Sequence, residues 1–580
     1  MEDNRKMKYI LGIQAGHDAA AALIVDGQIV ADVAEERFTR TKNDSSFPLN
    51  AIAFCLEHAG ITSEDLDAIA VPNRYLHTPM QIFIDIPKEQ VPKEDRPVKS
   101  KLKQTVLQYV LNSKKTETTL PLYQKRITIS KKCKIVLVGH HKSHAASAYY
   151  TSGINRDRVL VVTMDGIGDD FISVGIWKGE GNRLERIKTW GGEASLGWFY
   201  SNCTEALGWR HGSDEWKTMG LAPYGKVHPG ALAGFHPVFK SGELVTPHQY
   251  RNGGTWLDHA AYHYHFDDAF DIEPIVERLG REGLAAEAQR VFQEQANEII
   301  LPWLDKLKTR HLCAAGGAFL NVKANQDIWY TDKLDTQWIY PNPGDAGLAV
   351  GAALCAYYEH HPEQEHRVLS DAYFGPEFSN DEIRQILDHR GIDYEYVENP
   401  ARDAAQYLAD NKIIGWFQGR MESGPRALGN RSILMSPLRI ENKDTINRCV
   451  KYREAFRPFC PSMLSERSAD YLIKSRDERF MVTSFLVRED KRDKIPAVVH
   501  VDGTARPQMV TRASNSRYYD LIKEFGDLTG EPVVLNTSFN VKGEPIVCHP
   551  REAIRCFYDT GLDILFLGNY KIVKPRSPQI

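Results

Sequence analysis

The chain has 580 residues, 42% hydrophobic and 26% charged, with 72 Lys+Arg against 76 Asp+Glu and a formal net charge of −4. That length exceeds one ordinary domain of roughly 100–200 residues, and the composition excludes disordered, collagen-like and disulfide-scaffold classes. The charge balance gives no global reason to expect a nucleic-acid binder, and no apolar run reaches the roughly 18 residues that span a bilayer.

The N-terminal MEDNRKMKYILGI is polar and then apolar, without the succession of a signal peptide. The nine cysteines are scattered and form no CxxC pair, which reads as reduced thiols in a cytoplasmic chain. Residues 8–13 and 20–31 are short β-branched runs that predict strands on either side of the turn QAGHDAA. The VDGQ within the second run predicts a two-residue hairpin turn. A helix is expected over 48–60, stopped by Gly60, and a strand over 65–72. Residues 97–132 hold nine Lys/Arg and one acid, Glu117. Such a run reads as a solvated helical insertion, or as a basic rim that steers an anionic substrate. Strands are expected at 134–138 and 158–164, the second leading into Asp165-Gly166-Ile167-Gly168. ILGIQAGHD and LVVTMDGIGDD thus form a weak internal repeat, each a strand followed by a glycine-containing polar turn. CAAGGAFLN (313–321), a strand at 337–340 and the turn PNPGDAG follow. The chain turns polar from about 357, which places a boundary there. Helix 401–410, strand 412–417 and strands near 532–536 and 563–567 outline a second α/β unit.

Three constellations carry chemistry. His140, His141 and His144 open a predicted helix, where residues three or four apart share a face. His140 with His144, or His141 with His144, can therefore chelate one divalent ion, with Asp165 and Asp345 as candidate oxygen donors. Glycine turns at His17-Asp18, Asp165–Gly168 and Gly316-Gly317 form candidate anion nests for a nucleotide held between two lobes. Residues 419–432 interleave Arg420, Arg426 and Arg431 with glycine and serine. Lys451, Arg453, Arg457, Arg506 and Arg512 follow, the equipment of a phosphate clamp. Asn536-Thr537-Ser538-Phe539-Asn540 adds small polar groups after a strand. Ser or Cys nucleophile chemistry has no comparable support, since no G-x-S-x-G elbow occurs.

Taken together, GHDAAAALIVDG, EERFTRTK, HHKSHAASAYY, MDGIGD, DEWKTMGLAPYG, GGAFLNVKAN, NPGDAGLAVGAA, GRMESGPRALGNRSI, YREAFRPFCPSM and LNTSFNVKGEPIV resemble the nodulation-protein and tobramycin-type O-carbamoyltransferases. The resemblance runs through nearly the whole chain. It implies an α/β protein of two domains. The first is an actin-like ATPase (ASKHA) fold with two lobes over 7–356, carrying the 97–132 insertion. A linker over 357–370 leads to a YrdC-like domain over 371–580. It also implies that carbamoyl phosphate and ATP give carbamoyl adenylate in the second domain. The carbamoyl group then passes to a hydroxyl of a small-molecule natural product in the first.

Carried over residue by residue, the resemblance selects His140, His144, Asp165 and Asp345 as metal ligands. The ion it implies is Fe(2+), with Mg(2+) or Mn(2+) as alternatives. It gives His17 and Lys42 catalytic positions, and Asp18, Gly166, Gly168, Gly316, Gly317 and Asn321 nucleotide contacts. Arg426, Arg431, Arg457, Arg506, Arg512 and Asn536 become the carbamoyl-phosphate and ATP clamp. His17 is the expected general base, because a free imidazole titrates near 6.5. The residues ahead of His17 vary in the family, so Gln14 receives no role. The expected partners are ATP, carbamoyl phosphate and the hydroxyl acceptor, with no membrane and no nucleic acid. A homodimer is the default for soluble assemblies. Two other readings remain: a tRNA-directed carbamoylation enzyme, against which the −4 charge counts, and a non-catalytic actin-like binding protein, against which the intact His, Asp and Arg sets count.

Overall fold

The computed structural model describes residues 7–75, 80, 83–86, 127–169, 171–258 and 261–574. In the first sheet, Tyr9–Gln14 pairs antiparallel with Ala20–Val25, which pairs antiparallel with Gln28–Ala34. On its other side Tyr9–Gln14 runs parallel to Ala68–Val71, and that strand to Lys134–Leu137. Asp26 and Gly27 both take positive φ (49° and 77°), the conformation a two-residue hairpin turn requires.

The second sheet repeats this plan. Val159–Met164 pairs antiparallel with Ile172–Glu180, and that strand with Arg183–Gly191. On the other side Val159–Met164 runs parallel to His311–Ala315, followed by Thr336–Ile339. Strand order and directions match the first sheet, so the faint sequence repeat is a repeat of topology. His17-Asp18 and Asp165-Gly166 leave the two equivalent central strands.

Helices His140–Tyr150 and Leu348–His360 lie between the sheets, in a core of alanines and small apolar residues. Their backbones nearly touch: a Cβ on Gly351 would stand 1.9 Å from the Ser143 carbonyl oxygen. A Cβ on Gly12 would likewise stand 1.9 Å from the carbonyl oxygen of Ala349, seating the second helix on the first sheet. The outer face of the first sheet is covered by Leu49–Ala59, stopped at Gly60 in the left-handed conformation. That of the second is covered by Leu196–Ala206 and by Asp268–Leu307, a helical segment broken at Gly280.

The boundary expected after residue 356 falls inside helix Leu348–His360. The helix is buried on all sides until its last turn, so the polar YYEHH stretch is its exit rather than a linker. His366 beyond it is buried among Tyr149, Tyr150 and Tyr358, which fastens the connection to the first half.

The second half is built on an eight-stranded mixed sheet. Its order is Glu395–Tyr396, Tyr570–Val573, Ile564–Leu567, Ile414–Phe417, Arg431–Met435, Val533–Ser538, Cys460–Leu464 and Gln508–Val510. The nine cysteines are unpaired thiols. Among the described residues no helix is long and apolar enough to cross a membrane. Of the basic run, Lys131 and Lys132 are exposed, while Lys99, Lys101, Lys103, Lys114, Lys115, Lys125 and Arg126 lie outside the described residues.

Candidate active site

Gly139, with φ 86°, turns the chain into helix His140–Tyr150 and brings the histidines onto its first turn. The Nε2 atoms of His140 and His144 each lie 3.1 Å from Asp165 Oδ2. They lie 3.7 and 3.6 Å from Asp345 Oδ1. Asp165 follows the central strand of the second sheet, and Asp345 sits in the turn before Leu348–His360. One ligand atom from each of the four residues falls within 4.8 Å of the others. His141 is committed elsewhere: its Nδ1 is 2.8 Å from Thr163 Oγ1 and its Nε2 2.7 Å from the Ile172 carbonyl oxygen. Of the two pairings the spacing permits, geometry therefore selects His140 with His144.

Burial disfavours charge on His140, yet Asp345 and Asp165 lift it to about 9. Burial also works against the Asp165 carboxylate, but His140 and His144 hold it well below the usual range. The cluster thus demands positive charge. Two imidazole nitrogens and two carboxylate oxygens converging on one point fit a divalent first-row ion with coordination positions to spare.

His17 Nδ1 lies 3.3 Å from Asp18 Oδ2 beside this cluster, and Asp18 also accepts a hydrogen bond from Asn43 Nδ2 at 2.8 Å. Burial opposes charge on His17, but Asp18, Asp345 and Asp165 raise it to about 10. His17 therefore holds its proton here, unlike the free imidazole assumed from sequence. Positive charge placed among those carboxylates would be needed before it could accept one. Lys42 lines the same cavity.

The glycine turns serve the fold more than expected. The Gly166 amide donates to Asp165 Oδ1 at 2.8 Å, and the Gly168 amide to the Ile172 carbonyl at 2.7 Å, so neither is free for phosphate. Gly316, with φ 108°, presses against strand Val159–Met164, where a Cβ would stand 2.1 Å from the Met164 carbonyl oxygen. Gly317 lies along Asp165 and lines the cavity. Asn321 also borders it, but its amide is paired both ways with Gln289 at 3.0 and 3.1 Å and caps helix Val322–Trp329.

In the second half the three arginines of the glycine-rich motif divide. Glu422 Oε1 accepts from the amides of Leu428, Asn430 and Arg431 at 2.7, 2.8 and 3.0 Å and shapes the loop. Arg420 donates to the carbonyls of Val30 and Phe374, tying the two halves together. Arg431 is wholly buried, donates to the carbonyls of Gln418, Gly419, Asn430 and Pro376, and stacks on Phe417. Both of its terminal nitrogens are spent on carbonyls inside the protein and it does not line the cavity, which removes it from the expected clamp. Arg426 alone faces the cavity, its Nε buried without an acceptor. Burial and the nearby Arg506 push it down to about 9.

Lys451, Arg453, Arg457 and Arg506 join Arg426 around the cavity. Burial, then each other's charge, lowers Arg453 to about 9 and holds Lys451 well below its ordinary value. Among the described residues the one carboxylate paired with any of these five is Glu454, 3.3 Å from Arg457. Lys451 spends its ammonium on the carbonyls and side chains of Ser538 and Asn540. Arg426, Arg453, Arg457 and Arg506 are half-buried, crowded and nearly uncompensated, and such cations call for an anion. Arg512 does not belong: it is 58% exposed, pairs with Asp520 at 2.6 Å and lies outside the cavity. Asn536 does line the cavity, its Nδ2 bonded to Ala427 and Ser462.

Both sites open into one cavity of about 850 Å³, lined by His17, Asp165 and Asp345 on one side and Arg426, Arg457 and Arg506 on the other. Family models described as carbamoyltransferase N-terminus and carbamoyltransferase C-terminus match residues 9–354 and 405–574. The chain belongs to the carbamoyltransferase family.

This carbamoyltransferase is 36% identical to nodulation protein NolNO of Sinorhizobium fredii, over 97% of this chain and 80% of that one. It is also 36% identical to a protein of Synechocystis, over 99% and 98% of the two chains. It is 28% identical to nodulation protein U of Rhizobium fredii, over 95% and 93%. Likeness to solved structures is faint. The (R)-2-hydroxyglutaryl-CoA dehydratase component A of Acidaminococcus fermentans covers 61% of the carbamoyltransferase and 99% of its own chain, at a TM-score of 0.32 and 13% identity, and carries no weight. The enzyme transfers carbamoyl groups. Sequence reasoning reached His17, Lys42, Asp165, Asp345, Arg426 and Arg457 in this cavity, but gave no role to Glu422, which shapes the motif loop, or to Trp216, which stacks on Arg457.

Proposed function

We propose that the chain is an ATP-dependent O-carbamoyltransferase that works in two steps. In the second half, water would cleave carbamoyl phosphate to carbamate and phosphate, and the carbamate oxygen would attack the α-phosphate of ATP, giving carbamoyl adenylate with pyrophosphate leaving. In the first half, a hydroxyl of a small natural product would take the carbamoyl group and AMP would leave. The observation that carries this reading is the shared cavity, with a converging His/Asp cluster at one end and half-buried cations at the other that have one carboxylate partner, Glu454, among the described residues.

Arg426, Arg453, Arg457 and Arg506 would hold the phosphates, where fixed donors in a water-poor site are worth most, while Lys451 would brace residues 538–540 beside them. Lys42 would neutralise the adenylate phosphate, and His17 would take the proton of the acceptor hydroxyl. A divalent ion held by His140, His144, Asp165 and Asp345, Fe(2+) or another first-row ion, would add charge stabilisation at the departing phosphate. We read the two matching sheets as the lobes of an actin-like ATPase fold and the mixed eight-stranded unit as YrdC-like. The repeated strand order supports the first of these.

The test is pyrophosphate release from ATP, measured with and without carbamoyl phosphate. It is followed by an acceptor screen read by a mass gain of about 43 Da, one carbamoyl replacing one hydrogen. Release that ignores carbamoyl phosphate would dismiss the activation step.

A further inference from the structure

Trp216 reaches the cavity from helix Glu215–Leu221 of the first half, and the Arg457 guanidinium of the second half lies over its ring, 3.6 Å from the centroid. The indole N–H donates to the Ser213 carbonyl at 3.0 Å, which fixes the ring plane. The helix is seated closely: Pro458 and Phe456 stand 3.7 and 3.8 Å from where a Cβ on Gly220 would lie. Arg457 makes one ion pair, with Glu454 at 3.3 Å, and its Nε is buried without an acceptor.

A guanidinium can be oriented in two ways. A carboxylate fork fixes its plane and cancels its charge. An aromatic face fixes the plane and leaves charge and N–H edges available to an anion. Arg457 is held mainly in the second way, by a residue from the other half of the chain. We propose that Trp216 is a positioning residue of the anion site, so that the site in the second half is complete only when the first half is docked on it. The proposal rests on the carbamoyl-adenylate reading and extends it: activation and transfer are coupled through a shared wall as well as a shared cavity.

Pyrophosphate binding to the full chain, measured by calorimetry, tests this without an acceptor. Trp216→Leu should weaken binding roughly tenfold or more, and Trp216→Phe, which keeps a ring face, only about threefold. Because Trp216 acts through Arg457, Trp216→Leu added to Arg457→Ala should cost nothing further. Pyrophosphate should also change the tryptophan emission of the wild type, and that change should vanish in Trp216→Phe. Additive losses in the double variant, or unchanged affinity in Trp216→Leu, would overturn the proposal alone. If thermal melts show Trp216→Leu unfolded, the emission difference decides: a response persisting in Trp216→Phe overturns it. A wild-type chain that binds no pyrophosphate would overturn the anion-site reading, and this proposal with it.

Discussion

Asp32, on the edge strand Gln28–Ala34 of the first sheet, accepts a hydrogen bond from Ser423 of the second half, and both residues are buried. Burial pushes the Asp32 carboxyl up to about 7, with the Ser423 bond opposing. A carboxyl raised on folding contributes fully below its unfolded value and loses that contribution as pH rises through its folded one. Wild-type thermal stability should therefore fall from about pH 4 to about pH 7, and Asp32→Asn should gain on it over that window, by at most about 4 kcal/mol. Glu35, also raised to about 7, is common to both proteins and cancels in the comparison. A wild-type-to-variant difference independent of pH would contradict this.

The His/Asp cluster predicts a clean division among its neighbours. Asp165→Asn and Asp345→Asn should each weaken binding of a divalent ion about 100-fold or more, read as metal content after dialysis against a fixed free concentration. Carbamoyl transfer should fall with it, while carbamoyl-phosphate-dependent pyrophosphate release continues. His141→Ala should keep the ion yet lose about 1–3 kcal/mol of stability, since Thr163 and the Ile172 carbonyl lose their partner.

Arg426 and Arg431 share one motif and should behave oppositely. Arg426→Ala removes a half-buried cation without an ion pair, so the melting temperature should hold or rise, while pyrophosphate release falls about 100-fold or more. Arg431→Ala strands four carbonyls and should cost about 3–5 kcal/mol of stability. Equal melting curves for the two variants would reverse the assignment.

His17→Asn should slow transfer to the acceptor by about 100- to 10,000-fold, the usual range for a lost general base. Formation of carbamoyl adenylate, followed as pyrophosphate release, should be untouched. A variant with full transfer rate would leave His17 as a structural partner of Asp18.

Much of this site was legible in the sequence because the chemistry-bearing residues are compact in the chain. The histidine spacing left two pairings, and the family resemblance chose His140 and His144 with Asp165 and Asp345, the four that converge. What the sequence could not carry was depth. Arg431 and Arg426 read alike as charges; they differ because Arg431 begins a strand paired with Ile414–Phe417, whereas Arg426 sits on the loop before it. His140 and His141 differ only by which side of the helix meets Thr163. The second hairpin was missed because Arg183–Gly191 is exposed along most of its length and reads as charged coil. Trp216 was invisible for another reason: its partner is 241 positions away, and no spacing rule connects 216 to 457.

The contact between Gly351 and the Ser143 carbonyl carries a consequence for ion choice. His140 and His144 ride on one of these helices and Asp345 introduces the other, so the cage dimensions are inherited from backbone contact rather than from adaptable loops. Folding has already met the ordering entropy of the cluster, and a wider or narrower ion would meet helices held too closely to slide. For an ion held by these four residues, selectivity would then be a matter of radius, written into a glycine that lies outside the cluster.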